Sequence, residues 1–495
     1  MTLDAQAKAG APAVPSGLLE ALRSAVGAQN VVTQRDELFV FECDGLTLDR
    51  ATPGALVYVH STAEVVACVK ACAAAGHPFV ARGAGTGLSG GAVACGGMVV
   101  IELARMNRIL ELDFENRIAL VEPGAINLHV TKACASQGLH YAPDPSSQGA
   151  CTVGGNVAEN SGGPHTLKYG VTVNHVLGLE VVLPAGEVVT LGGPLSASSR
   201  LPGYDLVGLF VGSEGTFGIA TKVWVKLTPV PEAVKTLLAV FPSIEAASRG
   251  VSQIIAQGIL PAALELIDRT VIRAVEAWLH LGFPLDAGAV LLIELDGLAD
   301  GLDLLAERVM AACSACGCLE VRLARDEAER LLLWKARKQA FGAIGRISPS
   351  YYVQDGVIPR SKLPEVLGKI EASGRKYGLA TANVFHAGDG NLHPLILFDE
   401  RKPEEVEKAL ACNAEVLEAV IAAGGMLSGE HGIGIEKLAF MPRVFTEDDL
   451  EGMRRIRDVF DPRRLSNPGK AIPERGCWEV KGHRPPTLAP PMRKL

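Results

Sequence analysis

Two histidines, His386 and His393, flank a tight-turn sequence in the C-terminal half of the chain. Between them, Asp389 and Gly390 form a pair typical of a two-residue hairpin turn, because a type I′ turn needs positive φ at both central positions. Counting outward from this pair places His386 directly opposite His393. Directly opposed side chains point to the same face of a hairpin, roughly 5 Å apart at Cβ. The spacing therefore predicts that the two imidazoles chelate one metal ion.

A second motif offers further metal ligands. Residues 429–434 read Gly-Glu-His-Gly-Ile-Gly, so the carboxylate of Glu430 and the imidazole of His431 are fixed between glycines. Either side chain can complete a metal site with two histidines. The alternative is that His386 and His393 are ordinary surface or hydrogen-bonded residues, which is the commoner role of a single histidine in a hairpin. Two opposed histidines together with a glycine-flanked Glu-His pair favour the metal site.

A glycine-rich segment at residues 82–91 contains the pattern G-x-G-x-x-G at Gly85, Gly87 and Gly90. A Rossmann site for a nicotinamide cofactor requires a helix that begins inside this motif. This chain instead continues into an apolar strand predicted at residues 98–103. Successive backbone N–H groups without obstructing Cβ atoms can form a nest around a diphosphate. A plain glycine-rich turn is the alternative, but the density of glycine here favours phosphate binding.

Two further segments, residues 142–163 and 212–218, are rich in Gly, Asn and Ser. The longer one is too polar for a core and too rich in these residues for regular secondary structure. Such a loop offers many hydrogen-bond donors and acceptors to a polar cofactor. We expect both segments to wrap around the cofactor whose diphosphate the glycine-rich segment binds.

The bulk properties are those of a globular protein. The 495 residues suffice for two or three domains, and a composition of 48% hydrophobic and 21% charged residues is typical of a folded chain. The net charge of −8 argues against nucleic acid or an anionic membrane surface as the main partner. Residues 1–27 lack a signal-peptide pattern, and we expect no membrane span. The 11 scattered cysteines predict free thiols in the cytoplasm.

The alternation of strand and helix patterns predicts an α+β fold. Pro229 and Pro231 close the first group of strands, after which a second group begins. In the second group, residues 326–346 are expected to form one long helix. We divide the chain into an N-terminal arm (1–50), a cofactor-binding domain (51–231), a second α+β domain (232–473) and a loose tail (474–495).

These segments resemble one protein family from about residue 45 to residue 473. The first half resembles the FAD-binding domain of the p-cresol methylhydroxylase (PCMH) and vanillyl-alcohol oxidase superfamily. The second half resembles the FAD-linked oxidase C-terminal domain of D-lactate and D-2-hydroxyglutarate dehydrogenases, and the phrase at 347–359 favours the glycolate oxidase branch. The resemblance implies a PCMH-type FAD-binding domain of two subdomains and an α+β cap domain, for the substrate, built on an antiparallel sheet. The motifs that carry it are at residues 82–91, 143–163, 212–219, 386–393, 429–434 and 467–470.

By this resemblance, the glycine-rich segment holds the FAD pyrophosphate, the next polar segment lines the flavin and ribityl chain, and the third reaches the adenosine end. Some relatives attach FAD through a histidine in the first loop. Residues 82–91 contain no histidine, so we expect non-covalent FAD. The implied FAD contacts are Arg82, Gly83, Ala84, Gly85, Thr86, Gly87, Ser89, Pro143, Asp144, Ser146, Ser147, Thr152, Gly154, Gly155, Asn156, Asn160, Gly162, Glu214, Gly218, Ile219 and Asn467.

The same resemblance assigns roles in the second domain. His386, His393 and Glu430 match the ligands of a divalent metal, for which we expect zinc or manganese. His431 matches the catalytic base. Arg337, in a Trp-x-x-Arg pattern, matches an arginine that clamps the substrate carboxylate, and the alternative for it is a solvated charge on a helix.

The sequence departs from the family at two positions. Enzymes that act on D-2-hydroxyglutarate carry a threonine four residues after this arginine and a lysine further on, which bind a second carboxylate. Phe341 and Val353 stand in those places here. This favours FAD-dependent oxidation of a small 2-hydroxy acid with one carboxylate, such as glycolate or D-lactate.

The electrons that reach the flavin must leave for another acceptor, because the chain has neither an iron–sulfur motif nor a nicotinamide site. The resemblance implies a second flavin subunit and an iron–sulfur subunit as partners. The expected location is the cytoplasm, with peripheral attachment to the inner membrane through those subunits as the alternative. Two other functions stay open: a stand-alone D-lactate or other D-2-hydroxy acid dehydrogenase, and a flavin-binding structural subunit without catalysis.

Overall fold

The computed structural model describes residues 13–193 and 203–474, so the tail expected at 474–495 lies outside the described residues except for residue 474. The described residues form an α+β fold, as expected. No helix among them has the length and apolar character needed to cross a bilayer. The division of the chain into four segments stays a prediction.

The first half of the chain carries two main sheets. Its strands are β1 Val31–Val32, β2 Ala55–Tyr58, β3 Phe79–Arg82, β4 Val99–Glu102, β5 Ile109–Asp113, β6 Ile118–Val121, β7 Leu139–His140, β8 Val176–Val182, β9 Val188–Gly192, β10 Ile219–Lys226 and β11 Thr228–Pro229. Its helices are α1 Ser16–Val26, α2 Arg35–Leu38, α3 Thr62–Ala75, α4 Asn127–Cys134, α5 Val153–Glu159, α6 Thr166–Tyr169 and α7 Leu206–Phe210.

The first sheet has the order β1-β2-β4-β3, with β2, β4 and β3 parallel and β1 antiparallel to β2. The second is antiparallel, in the order β5-β6-β10-β8-β9, and β7 pairs with β11. Helix α3 connects two parallel strands, and its N-cap is Ser61, whose hydroxyl accepts a hydrogen bond from the Glu64 N–H. The glycine-rich segment leaves the carboxyl end of β3, and no α-helix begins in it. This confirms that it is not a Rossmann motif.

The second half is built on one nine-stranded sheet. Its strands are β12 Ala233–Phe241, β13 Ala263–Asp268, β14 Ala289–Gly297, β15 Glu320–Leu323, β16 Ser350–Val353, β17 Gly356–Val357, β18 Ala380–His386, β19 Asn391–Leu392 and β20 Pro394–Phe398. Its helices are α8 Ile244–Ala256, α9 Arg269–Leu279, α10 Leu302–Ala315, α11 Glu327–Lys338, α12 Ala340–Ile344, α13 Leu363–Tyr377, α14 Pro403–Ala422, α15 Met441–Val444 and α16 Glu447–Phe460.

Neighbouring strands in this sheet are antiparallel, in the order β15-β12-β14-β13-β18-β19-β17, while β20 pairs with β18 and β16. Leu237 and Ala239 of β12 lie in one apolar cluster, and Leu238 and Val240 lie in another. The alternation places one cluster on each face of the sheet, because successive strand residues point to opposite sides. Strand β18, buried in the middle, ends at His386 and so positions it rigidly.

The expectation that residues 142–163 contain no regular secondary structure is wrong. Helix α5, Val153–Glu159, lies within them. The hydroxyl of Thr152 caps its N-terminus by accepting from the Gly155 N–H at 3.2 Å, and Asn160 ends it with a left-handed φ of 55°. Val153 and Val157 are buried against the five-stranded sheet's core, so tertiary packing outweighs the low helix propensity of the glycines.

The prediction of a single helix at residues 326–346 is also wrong, because this segment forms two helices. The segment is divided into α11 and α12 at Gln339, whose ψ of 5° is not helical. Trp334 on α11 and Ala340 and Ile344 on α12 are buried in the same apolar cluster. The change of direction lets both short helices bury their apolar faces against one side of the nine-stranded sheet.

A buried ionic cluster joins the two halves of the chain. Nδ1 of His165 lies 2.8 Å from Oδ2 of Asp144, and its Nε2 lies 3.1 Å from Oε1 of Glu294 on β14. Burial disfavours the charge of His165, but Asp144 and Glu294 outweigh it and raise its pKa to about 10. Burial likewise opposes the charge of Glu294, but the hydrogen bond and charge of His165 lower its pKa to about 2. The cluster therefore stabilises the contact between the halves.

We expect Glu294→Gln to destabilise the protein by about 3 kcal/mol, because it leaves the buried His165 cation with one partner fewer. The His165 contribution is complete below its ordinary pKa of 6.5 and is lost as pH rises through about 10. The Glu294 contribution is complete above 4.5 and is lost as pH falls through about 2. The loss in thermal unfolding midpoint should therefore be greatest between pH 4.5 and 6.5 and smaller near about pH 9.

Glu320→Gln is the matched control, because that side chain is 59% exposed and its contact with Arg322 contributes little. Equal midpoints for the Glu294 variant and wild type inside that pH window would contradict the stabilising role of the cluster.

Candidate active site

A cavity of about 340 Å³ lies where the two sheets of the first half meet the nine-stranded sheet. Residues from the first half form most of its wall. The nine-stranded half contributes Phe341, Tyr351 and Val353, and the C-terminal motifs contribute His393, Glu430, His431 and Asn467.

Most of the residues expected to contact FAD line this cavity. They are Arg82, Gly83, Ala84, Gly85, Thr86, Gly87, Ser146, Ser147, Thr152, Gly154, Gly155, Asn156, Glu214, Gly218, Ile219 and Asn467. The exceptions are Ser89, Pro143, Asp144, Asn160 and Gly162, which lie behind the wall.

The five exceptions have contacts within the protein. The carbonyl of Ser89 accepts from the Ile435 N–H at 2.9 Å, and that of Pro143 accepts from the side chain of Asn127 at 3.0 Å. Asp144 pairs with His165, and Asn160 ends α5. A Cβ on Gly162 would lie 2.7 Å from Oε2 of Glu430, so this glycine leaves room for that carboxylate.

The cavity wall has the chemistry that a dinucleotide needs. The glycine-rich segment exposes backbone next to the cavity, and Gly85 has a φ of 64°, in the left-handed region. Four polar atoms on the wall are buried and have no hydrogen-bond partner in the protein: Nη1 of Arg82, Oδ2 of Asp44, Oε2 of Glu159 and Oγ of Ser213. Such atoms are costly unless a ligand satisfies them. The wall therefore fits FAD.

Sequence reasoning missed Asp44 and Glu159, two carboxyl groups on this wall. Burial raises the pKa of Asp44 to about 6. Burial, followed by the neighbouring charge of Glu214, raises the pKa of Glu159 well above its usual range. Glu159 falls inside the polar segment flagged from its Gly and Asn content, but no local pattern distinguishes it from a surface glutamate.

His386, His393 and Glu430 meet at one end of the cavity. Oε1 of Glu430 lies 3.2 Å from Nε2 of His386 and 3.3 Å from Nε2 of His393. The two imidazole rings are 5.0 Å apart between centroids. One ligand atom from each of the three side chains lies within 4.8 Å of the others, and Nε2 of His393 has no hydrogen-bond partner. Two imidazole nitrogens and one carboxylate oxygen suit zinc or manganese, so the residues fit a divalent metal.

The predicted two-residue hairpin is wrong. His386 pairs with Asn391, not with His393, and four residues form the loop between them. Gly390 has positive φ but Asp389 does not, so the pair cannot form a type I′ turn. The register is shifted by two residues, and a shift of two keeps every side chain on its original face. His393 thus lies diagonal to His386 on the same face, and the histidines still converge.

Glu265 and Arg337 lie directly behind this cluster. Oε1 of Glu265 is 2.8 Å from Nδ1 of His386. The other oxygen of Glu265, Oε2, accepts a hydrogen bond from Nε of Arg337 at 2.6 Å. A carboxylate on the far nitrogen of a metal-binding histidine fixes which nitrogen faces the metal. Arg337 is fully buried, so the alternative of a solvated helix charge is wrong. It does not line the cavity, but its Nη1 and Nη2 have no protein partner.

Two carboxylates fix the loop at residues 429–434. Asp355 accepts from the His431 N–H at 2.8 Å, and Glu214 accepts from the N–H groups of Ile433 at 2.7 Å and Gly434 at 2.6 Å. Sequence reasoning missed both Glu265 and Asp355. Each stands as a single acidic residue in or beside a strand, without a local motif.

Electrostatics distinguish Glu430 from His431. Burial opposes ionisation of Glu430, but the facing His386 outweighs burial and lowers the pKa of Glu430 to about 2. Burial lowers the pKa of His431 to about 4, although Asp355 acts in the opposite direction. The ring of His431 stacks on that of His393, with centroids 4.8 Å apart. A carboxylate and a neutral imidazole therefore lie side by side at the cavity wall.

Comparison with known proteins agrees with this architecture. A family described as FAD binding domain matches residues 53–192, and one described as FAD linked oxidases, C-terminal domain, matches residues 230–471. Solved structures of p-cresol methylhydroxylase and of 4-ethylphenol oxidase from Gulosibacter chungangensis share the fold. Their TM-scores are 0.78 and 0.76 at 19% and 20% identity, covering 92% of this chain and 97% of each of theirs. These likenesses show a PCMH-type fold.

Relatives of much higher identity extend over nearly the whole chain. Glycolate oxidase subunit GlcD of Escherichia coli is 47% identical, covering 95% of both chains. Glycolate oxidase subunit GlcD of Bacillus subtilis is 40% identical, covering 91% of this chain and 96% of its own. A D-lactate dehydrogenase of Anaerostipes hadrus is 35% identical, covering 85% of this chain and 90% of its own. The chain therefore belongs to the FAD-linked oxidase family and is an FAD-dependent oxidoreductase.

Proposed function

We propose that this protein oxidises glycolate to glyoxylate, with D-lactate as a second substrate, as the catalytic subunit of a glycolate oxidase or dehydrogenase complex. The observation that carries the proposal is that His393, Glu430 and His431 lie on the wall of the same cavity as the glycine-rich segment. The relatives named glycolate oxidase subunit GlcD support glycolate as the substrate. The D-lactate dehydrogenase, which is 35% identical, supports D-lactate as the second substrate.

The residues that line the cavity would hold FAD non-covalently, and the bound cofactor would supply the acceptor for the hydride of the substrate α-carbon. Zinc or manganese at His386, His393 and Glu430 would lower the pKa of the substrate hydroxyl. We propose that His431 takes the hydroxyl proton, and its position on the cavity wall beside Glu430 supports this role. Glu265 keeps Nδ1 of His386 engaged, so that Nε2 faces Glu430.

Arg337 is proposed to bind the substrate carboxylate. Its Nε donates to Glu265, whereas Nη1 and Nη2 are buried without a partner and can donate two hydrogen bonds to a carboxylate. Because Arg337 lies behind the wall in this structure, binding requires a small displacement of the wall. Phe341 and Val353 line the cavity and offer no charge to a second carboxylate, which favours a small monocarboxylic substrate.

Electrons are proposed to pass from the flavin to a second flavin subunit and an iron–sulfur subunit, since relatives that are 47% and 40% identical are named as glycolate oxidase subunits. The chain would then work in the cytoplasm or at the inner membrane through those partners. A structural role without catalysis is disfavoured, because a scaffold has no need of Glu265 and Arg337 behind converging histidines.

Steady-state turnover of the purified protein with a dye acceptor tests the substrate. Glycolate, D-lactate, L-lactate and D-2-hydroxyglutarate are supplied in turn, and the 2-oxo acid formed is measured. We expect kcat/KM for glycolate and D-lactate to exceed that for D-2-hydroxyglutarate by about tenfold or more, because a second carboxylate would be buried against Phe341 and Val353 without a partner. Highest turnover with D-2-hydroxyglutarate would contradict the proposal.

His431→Ala tests the base. We expect kcat to fall by about 10²- to 10⁴-fold, because the substrate hydroxyl loses its proton acceptor. The flavin content, read from the visible absorbance, should stay at the wild-type value. His129→Ala on an exposed face of α4 is the control and should leave both unchanged. A His431 variant with undiminished kcat would remove the base from the proposed mechanism.

A further inference from the structure

A second cavity, of about 140 Å³, borders two of the three candidate metal ligands, His386 and Glu430. His386 and Glu430 form part of its wall, together with Asp389 and Asn391 from the histidine loop and the half-buried Thr166 and Val171 from the first half of the chain. The first cavity is lined by His393, Glu430 and His431. Glu430 thus separates two spaces, of which the larger belongs to the flavin and the substrate.

The two oxygens of Glu430 have different surroundings. Oε1 is the atom within 3.3 Å of both histidine nitrogens. Oε2 faces Gly162, where an added Cβ would lie 2.7 Å from this oxygen, 2.7 Å from Oγ1 of Thr166 and 3.3 Å from Cγ1 of Val171. The carboxylate of Glu430 therefore forms part of the wall of the second cavity, and the residue next to its Oε2, Gly162, has no side chain.

Two residues on the wall of the second cavity, Asp389 and Asn391, carry oxygen atoms that can bind a cation. Oδ1 of Asn391 is buried, has no hydrogen-bond partner in the protein, and belongs to a side chain on this wall. Asp389 contributes a carboxylate, whose Oδ1 accepts from the Asn391 N–H at 3.2 Å. Amide and carboxylate oxygens are the ligands on which a divalent ion can exchange its water step by step.

We propose that the second cavity is the path by which the divalent cation reaches and leaves the His386–His393–Glu430 cluster, with Asp389 and Asn391 as transient oxygen ligands. This inference rests on the proposed metal centre. It follows because the first cavity is the proposed site of FAD and substrate, whereas the second borders His386 and Glu430 without contact with the glycine-rich segment. The cation can then exchange without release of the flavin.

Metal exchange kinetics of the FAD-loaded protein test this path. Mn²⁺ or Zn²⁺ is loaded, EDTA is added, and the metal that stays bound is measured against time after rapid desalting. Uptake by chelator-treated protein is followed in the same way. Val171→Trp, which fills the cavity, should slow release and uptake by about tenfold each. The dissociation constant should not change, because a blocked path alters both rates equally.

Val188→Trp is the matched control, since Val188 is 47% exposed on β9 and should leave both rates unchanged. Asp389→Asn is a second, isosteric variant that should also slow both rates, and it carries the test if the tryptophan variant fails to fold. Unchanged rates in both variants would overturn the path. Weaker binding with faster release would also overturn it, because the wall would then act on the ligands themselves. A wild-type protein that holds no metal would instead refute the metal centre.

Discussion

The site depends on the loop at residues 429–434 being held by its backbone between two buried carboxylates. Asp355 accepts hydrogen bonds from the Gly429 and His431 N–H groups, and Glu214, from the other half of the chain, accepts from two further N–H groups of the loop. A buried carboxylate is costly unless hydrogen bonds replace its water. The loop supplies those bonds, so the carboxylates and the loop stabilise each other. This arrangement brings Glu430 and His431 to the histidines of the nine-stranded sheet.

The close approach of three backbone segments explains the glycines of this region. A Cβ on Gly434 would lie 2.0 Å from the carbonyl oxygen of Ser89, and one on Gly432 would lie 2.2 Å from Oε2 of Glu159. A Cβ on Gly162 would lie 2.7 Å from Oε2 of Glu430. Two of these glycines lie in the C-terminal loop and one in the FAD-binding half. They let the Glu430 carboxylate, which we propose binds the metal, lie next to the wall of the flavin cavity, as coupled hydride and proton removal requires.

Local signals made much of the fold predictable. The strand expected at residues 98–103 is confirmed as β4, Val99–Glu102, because a short continuous apolar run is typical of a buried strand. Helix α5 could not be foreseen, since its stability comes from tertiary packing around Thr152 and Val157. The prediction that the two histidines lie on the same face is correct although the predicted turn is wrong. The reason is that strand side chains alternate with a period of two residues, so that a register shift of two leaves the face unchanged.

The candidate site was less predictable than the fold. Motifs identify residues that are clustered in the sequence, such as Glu430 and His431. Glu265 and Asp355 act through contacts with residues far away in the chain, 121 positions for the first and 76 for the second. No period or spacing marks such a residue. The same limit applies to Arg337, whose burial and ion pair only the packed structure reveals.

The central claim is that the His386–His393–Glu430 cluster and the flavin act on the same substrate molecule. The most direct test is anaerobic reduction of the flavin by glycolate, measured as the loss of the flavin's visible absorbance. The reaction is run before chelation, after chelation, and after zinc or manganese is added back. We predict rapid bleaching of the untreated protein. After chelation, bleaching should be lost although the flavin is still bound, and it should recover when the metal is added back. Equally fast bleaching by the fully chelated protein would contradict it.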